Sequence, residues 1–401
     1  MRDRVEAVFR EEHGLLLAAL VHRFGDLDLA EEVASDAVEA ALRTWPRDGV
    51  PTRPGAWLMT TARRKAIDRL RRDRTYADRL AVLAAEGERH EPAPELTDGL
   101  PDERLRLFFT CAHPALPADH RAALTLRCLA GLETPEVARA FLVPTATMAQ
   151  RIVRAKKKIR YARIPFRVPG PDELPGRLPG VLQVVYLLFT TGYADERLDL
   201  ADEAVRLGRI LHRLLPEREV AGLLGLMLLT RARRGTRLVP LEEQDRTRWD
   251  ADLIAEGTAL AEAALTGGPP GPYGVQAAIA ALHAEAPDPA GTDWPQIVAL
   301  YDVLLHLAPT PVVALNRAAA VAMRDGPEAG LRLLDALAED PALRTYPLLP
   351  AARADLLERL GRTAEAEAAY RAALALADTD TERTRLRNRL DRIGRDRPVG
   401  E

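Results

Sequence analysis

The sequence is short of cysteine, of aromatic residues and of long apolar runs, and each shortage removes a class of protein. Cys111 and Cys128 are the only cysteines in 401 residues. Two cannot build a disulfide framework, so a reducing cytoplasm is the expected setting. Nor do Cys111, His113 and Cys128 read as a zinc site, because no second pair stands at ligand spacing. The longest apolar stretches, 181–190 and 220–230, fall far short of the ~20 residues a membrane-crossing helix needs, so no membrane partner is expected. The opening residues MRDRVEAVFREEHG are charged and do not read as a signal peptide. Also missing are a nucleophile–histidine–acid set, a glycine loop to cradle phosphate and paired histidines on one helix face. The chain therefore reads as a non-enzyme, with no catalytic residue, no metal and no cofactor.

What is abundant points to helices. Hydrophobic residues make up 47% of the chain but aromatics only 5%, and Ala, Leu and Arg dominate. That favours an all-α fold packed through small side chains, and alternating β-branched runs are scarce. The net charge of −3 is unevenly spread. Residues 1–167 hold 29 Lys and Arg against 24 Asp and Glu, a charge of +5, while the remainder carries −8. A basic front half suggests nucleic acid as its partner.

Three stretches carry that suggestion. Residues 134–163, TPEVARAFLVPTATMAQRIVRAKKKIRYAR, read as a helix-turn-helix. Thr134 is placed to cap the first helix and Pro135 suits its first turn. Val143-Pro144 breaks the chain, because a residue before proline avoids helical dihedrals. Thr145 is placed to cap a second helix, with Met148, Ile152, Ala155 and Ile159 inside. Gln150, Arg151, Arg154, Lys157 and Lys158 lie on the other side, in a stretch free of acids from Arg151 to Arg167. A short helix, a turn and a basic helix form the geometry that enters a major groove. The second stretch, 56–74, repeats Leu58, Ala62, Ala66 and Leu70 inside, with Arg63, Arg64, Arg71 and Arg72 opposite. Trp57 at its start reads as a core anchor first and a base-stacking residue second. The third, LDLAEEVASDAVEAALRTW from Leu27, keeps Leu29, Val33 and Ala37 inside and Asp28, Glu31, Glu32, Asp36 and Glu39 largely outside.

Together these stretches resemble a bacterial sigma factor of the sigma-70 class, in its extracytoplasmic-function group. LAEEVASDAVEAAL resembles region 2.2, and GAWLMTTARRKAIDRLRR resembles regions 2.3 and 2.4. LPADHRAALTLRCLAGLETPEVARAFLVPTATMAQRIVRAKKKI resembles region 4. The resemblance implies a region 2 helical bundle at 1–75, a linker at 76–100 and a region 4 helix-turn-helix at 101–165. It implies core RNA polymerase and promoter DNA as partners. Glu31, Glu32 and Asp36 would bind polymerase. Trp57, Arg63, Arg64, Arg71 and Arg72 would meet the −10 element. Gln150, Arg151 and Arg154 would read the −35 element, with Lys157 and Arg160 on phosphate. Departures stand at Ser35 and Val38, where the family usually has Gln and Phe, at Arg64, usually Asn, and at Ala149-Gln150, often Lys-Ser.

A Pro- and Gly-rich stretch, 166–180, reads as a second linker. The helical segment 181–401 is too long for a tail. Helices are expected at 180–191, 198–214, 217–233, 249–265, 273–284, 293–307 and 311–323, with an irregular insert at 235–250. NRAAAVAMRDGPEAGLRLLDAL then aligns with RADLLERLGRTAEAEAAYRAAL at a spacing of 35, Gly326 on Gly361 and Ala319 on Ala354. That is close to the tetratricopeptide period and suggests stacked helix pairs with a concave face for a protein or peptide ligand. LPGVLQVVYLLFTTGY with WPQIVALYDVLLHLAPTPVVALNRAAAVAM resembles sigma factors that carry such an extension, which implies a regulatory role. Two rival readings stay open. One is a helix-turn-helix operator-binding regulator with a helical effector domain. The other is a scaffold that binds peptides and no DNA.

Overall fold

The computed structural model describes residues 2–72, 101–141, 143–194, 198–233, 244–377 and 380–395. The linker expected at 76–100 lies outside them, as does most of the insert expected at 235–250. Among the described residues there are eighteen α-helices and no strand, so the fold is all-α. The chain divides into two units, residues 1–216 and 217–401.

The first unit opens with α1 (Arg2–Phe24), α2 (Leu27–Asp48) and α3 (Pro54–Arg72), each packed on the other two. Alanines at 30, 34, 37 and 41 of α2 and at 62 and 66 of α3 are fully buried, and let the helices close around Leu16, Leu17, Leu20, Leu58 and Trp45. Asp26 caps α2, its Oδ1 accepting from the N–H groups of Asp28 at 2.8 Å and Leu29 at 3.1 Å. Pro46 lies inside the end of α2 but on its exposed side.

Four more helices follow: α4 (Pro101–Cys111), α5 (Ala118–Cys128), α6 (Thr134–Ala140) and α7 (Thr145–Tyr161). The caps differ from the sequence expectation. Thr134 and Thr145 are the first helical residues, not the caps. Glu133 precedes α6, its N–H donating to Glu136 Oε2 at 2.7 Å. Pro144 precedes α7 with φ −57° and ψ 143°, so the ring itself fixes the entry and no side chain caps it. Helix α1 passes close to the end of α5. A Cβ on Gly14 would sit 2.8 Å from the Leu129 carbonyl oxygen, closer than real Cβ atoms come.

The stretch 166–180, expected to be a linker, already contains the start of α8 (Leu174–Ala194). Pro175 and Pro179 are both exposed, so the missing N–H of Pro179 frees a carbonyl that water can satisfy. Helix α9 (Leu198–Leu214) packs on α8, and both touch α4. Arg177 Nη2 donates to the Phe109 carbonyl at 3.0 Å and Arg206 Nη2 to the Leu129 carbonyl at 3.4 Å. The first two helices of the segment expected as an extension from 181 thus fall in the first unit.

The second unit runs α10 (Arg218–Ala232), α11 (Ala251–Leu265), α12 (Pro272–Glu285), α13 (Trp294–Leu307), α14 (Pro311–Asp325), α15 (Pro327–Leu337), α16 (Leu348–Arg359), α17 (Thr363–Leu376) and α18 (Asp380–Arg395). Each packs on the next in chain order, as in a stacked helical array. The two glycines of the expected repeat stand 35 residues apart. Gly326 and Gly361 both turn the chain with positive φ, +97° and +71°, where a side chain would be strained. The helices that follow them start 36 residues apart, α15 at Pro327 and α17 at Thr363. Ala318, not Ala319, is the buried counterpart of Ala354. One extra residue, Leu360, closes α16 before its glycine.

Candidate nucleic-acid interface

Helix α7 is positioned by Met148, Ile152 and Ala155, which are buried against α5 and α6. Residues three, four and seven apart share a helix face, so Gln150, Val153, Arg154, Lys157 and Tyr161 point one way. All five are exposed. Val153 at 48% and Tyr161 at 81% exposure are apolar groups that sequence reading passed over. Beside the cationic side chains they offer a methyl pair and a ring, which suit thymine methyls and sugar edges. Lys158 is also exposed, whereas Arg151 is half-buried, its Nε 3.4 Å from the Asp119 carboxylate.

On α3, Arg64 and Arg71 are exposed and Arg63 is half-buried. The Arg72 side chain lies outside the described residues. Trp57 packs edge-on against Trp45, ring centroids 5.5 Å apart at 67°. Trp45 is fully buried, so Trp57 holds the start of α3 to the end of α2, the core-anchor role. Arg69, which the sequence left without a task, reaches the Glu32 carboxylate at 3.1 Å.

The acidic face of α2 is not the open surface the sequence suggested. Glu32 is exposed and Asp36 half-buried. Glu31 was expected outside the helix stripe but is buried. Arg127 Nε of α5 lies 3.2 Å from it, and Lys156 of α7 forms an ion pair with its other oxygen. Lys156 also donates to Asp28 Oδ1 at 3.0 Å, and Arg160 pairs with Asp28 Oδ2. Burial works against the Lys156 ammonium, but the Glu31 and Asp28 carboxylates outweigh it and hold its pKa above the usual lysine value. Periodicity could flag Lys156 as basic but not name partners more than a hundred residues earlier. Beneath this contact His13 is buried, with Nε2 3.1 Å from the Arg127 carbonyl. Burial first, then the Arg127 charge, lowers its pKa to about 4, so the ring is neutral.

Cys111 and Cys128 are both buried. A hydrogen bond between the thiols and then burial raise the Cys128 pKa. Among the described residues no group of three or more His, Cys, Asp or Glu is placed to hold a metal ion, and no helix is long and apolar enough to cross a membrane. In the second unit, α12 to α16 line a cleft of about 230 Å³. Its lining includes His283 and Trp294, rings 5.3 Å apart, and Asp355 and Arg359.

Comparison with known proteins gives three family matches in chain order. Residues 8–75 match Sigma-70 region 2, residues 109–159 match Sigma-70, region 4, and residues 177–265 match a family of unknown function. An uncharacterized protein of Rhizobium meliloti (strain 1021) is 42% identical over 394 residues, covering 94% of this chain and 93% of that protein. No solved structure matches the chain.

Proposed function

The chain belongs to the sigma-70 class, as an extracytoplasmic-function-like sigma factor with a helical extension, and from that premise we propose that it binds core RNA polymerase and directs initiation at its own promoters. Promoter recognition is the part its two sigma regions support most directly. We assign region 2 to residues 1–75, the linker to 76–100 and region 4 to 101–165. Gln150, Arg151 and Arg154 read the −35 element from the major groove, with Lys157 and Arg160 on its phosphates. Arg63, Arg64, Arg71 and Arg72 meet the −10 element, and Trp57 sets the start of that helix. Glu31, Glu32 and Asp36 hold polymerase. The chain performs no covalent chemistry and works in the cytoplasm. The helical array after residue 217 is tetratricopeptide-like and takes a protein or peptide segment in its cleft, tuning polymerase engagement.

The observation that carries this reading is the outward face of Gln150, Arg154 and Lys157 on the last helix of a region 4 match, with the exposed Arg64 and Arg71 on the last helix of a region 2 match. Gel filtration of the purified chain mixed with core polymerase tests it. Co-elution is expected, weakened by Glu32→Lys with Asp36→Lys. Separate elution of the wild-type chain under all salt conditions would refute it.

A further inference from the structure

We propose that α18, the last helix of the second unit, is a further DNA-binding element that lies in the major groove of a duplex with arginines on the phosphates of both strands. This goes beyond the promoter contacts assigned above and does not depend on them. The charge of α18 runs against its surroundings. Residues 217–379 hold 23 Asp and Glu against 15 Arg, a charge of −8, whereas α18 holds six Arg against three acids. Two of those acids, Asp380 and Glu382, stand in the first turn, where the helix dipole favours them. Five arginines and one aspartate follow between 383 and 392.

Packing turns this charge outward. Leu386, Leu390 and Ile393 recur at helical spacing and seat α18 in the apolar cluster that holds Tyr370 and Ala373 of α17. Arg392 donates to the Glu358 carboxylate at 2.8 Å, and the same carboxylate accepts from the Tyr370 hydroxyl at 2.9 Å, so Arg392 fixes the helix in place. Arginines of the preceding helices are spent in the same way: Arg324 pairs with Asp325, Arg353 with Asp335 and Arg362 with Glu365, each at 2.7 Å. Arg385 and Arg387 are exposed, and neither has a carboxylate partner among the described side chains. Successive residues turn about 100° around a helix. Arg385 and Arg387 therefore flank the buried Leu386 on opposite sides, and the exposed Thr384 and Asn388 form the crown between them. Asp391, one turn on, is the single exposed acid here and leaves the face net positive. A helix with its side chains is ~10–12 Å across, and the major groove is ~12 Å wide with a phosphate row on each rim. Each arginine then meets one strand, and the Asn388 amide faces base edges, where it can pair with adenine. Two cationic flanks around an uncharged polar crown match a groove with charged rims and a neutral floor better than they match an acidic protein surface.

Iron-chelate cleavage from Asn388→Cys in the full chain, on a labelled duplex of random sequence and without polymerase, tests this. Cys111 and Cys128 are buried and take no chelate. At saturating chain, cuts are expected on both strands within about one helical turn of each other. Arg385→Gln with Arg387→Gln removes the cuts, weakens duplex binding roughly tenfold at 0.1 M salt and lowers the slope of log affinity against log salt by about 2. Its melting temperature stays at the wild-type value, because both side chains are exposed and α18 remains docked. An absence of cuts on a duplex the chain occupies overturns the proposal, as does a double variant with wild-type affinity and slope. Polyglutamate that abolishes the cuts as effectively as unlabelled duplex at equal charge also overturns it, and marks an acidic protein as the partner. Arg154→Ala with Lys157→Ala keeps the two assignments apart. Binding lost only in that variant refutes the role of α18 and leaves the −35 contacts standing, and binding lost only in the α18 variant does the reverse.

Discussion

Replacing Lys156 by Met keeps its length and removes its charge, and the consequence can be sized from the contacts around it. Glu31, 9% exposed, would keep only Arg127 at 3.2 Å. Stranding a buried charge outright costs ~3–5 kcal/mol. One remaining cation offsets about half, so a loss of about 2 kcal/mol is expected. Glu31→Gln leaves Lys156 with Asp28 at 3.0 Å, a half-exposed partner, and is expected to cost ~1–2 kcal/mol. If the two groups act on each other, the double variant loses less than the singles added together, by about 1.5 kcal/mol. For a unit of some two hundred residues, 2 kcal/mol lowers the melting temperature by roughly 4–8 °C. Thermal melts of the four proteins in low salt complete the cycle. Strict additivity, or a Lys156→Met chain that melts with the wild type, would refute the pairing of Lys156 with Glu31.

Other positions give separate tests. Arg154→Ala is expected to cost ~1–3 kcal/mol on the cognate promoter and relax base preference, whereas Lys157→Ala weakens all sequences alike and flattens the salt slope by about 1; titrating cognate and scrambled duplexes over salt separates the two. His13 titrates near pH 4 in the fold against 6.5 for an ordinary histidine. The unfolded chain therefore gains a proton between those values that the fold refuses. Stability is full above pH 6.5 and falls by roughly 3 kcal/mol on the way to pH 4, and His13→Gln removes that slope from urea titrations. Gly14→Ala sets a methyl against the Leu129 carbonyl. A loss of ~1–3 kcal/mol is expected from melting curves, and no loss would mean α1 and α5 do not approach as described.

Helix type and order were legible because apolar spacing is a local property. The expected helix at 198–214 matches α9 residue for residue, and Met148, Ile152 and Ala155 face inward as their spacing implied. Four features were not legible, each for a physical reason. Threonines before a helix suggest caps, but at 134 and 144–145 the backbone entry was set by Glu133 and by a proline ring instead. Pro175 and Pro179 suggest a break, but Pro175 falls in the first turn, where no N–H is needed, and Pro179 lies inside the helix on its exposed side. The burial of Glu31 depends on Arg127 and Lys156, about one hundred residues away in the chain, and no helical period encodes that pairing. The exposed side of α7 was visible in the sequence for its charges, while Val153 and Tyr161 were not, because apolar residues are assigned inward by default.

Run-off transcription with purified core polymerase bears most directly on the account. Templates selected from random DNA for binding by the polymerase–chain complex are transcribed with and without the chain. Transcripts should start at a fixed distance from the selected motif only when the chain is present, and should weaken with Arg154→Ala. A chain that footprints on duplex DNA alone, yet neither associates with polymerase nor starts any transcript, would contradict the account and mark it as an operator-binding regulator.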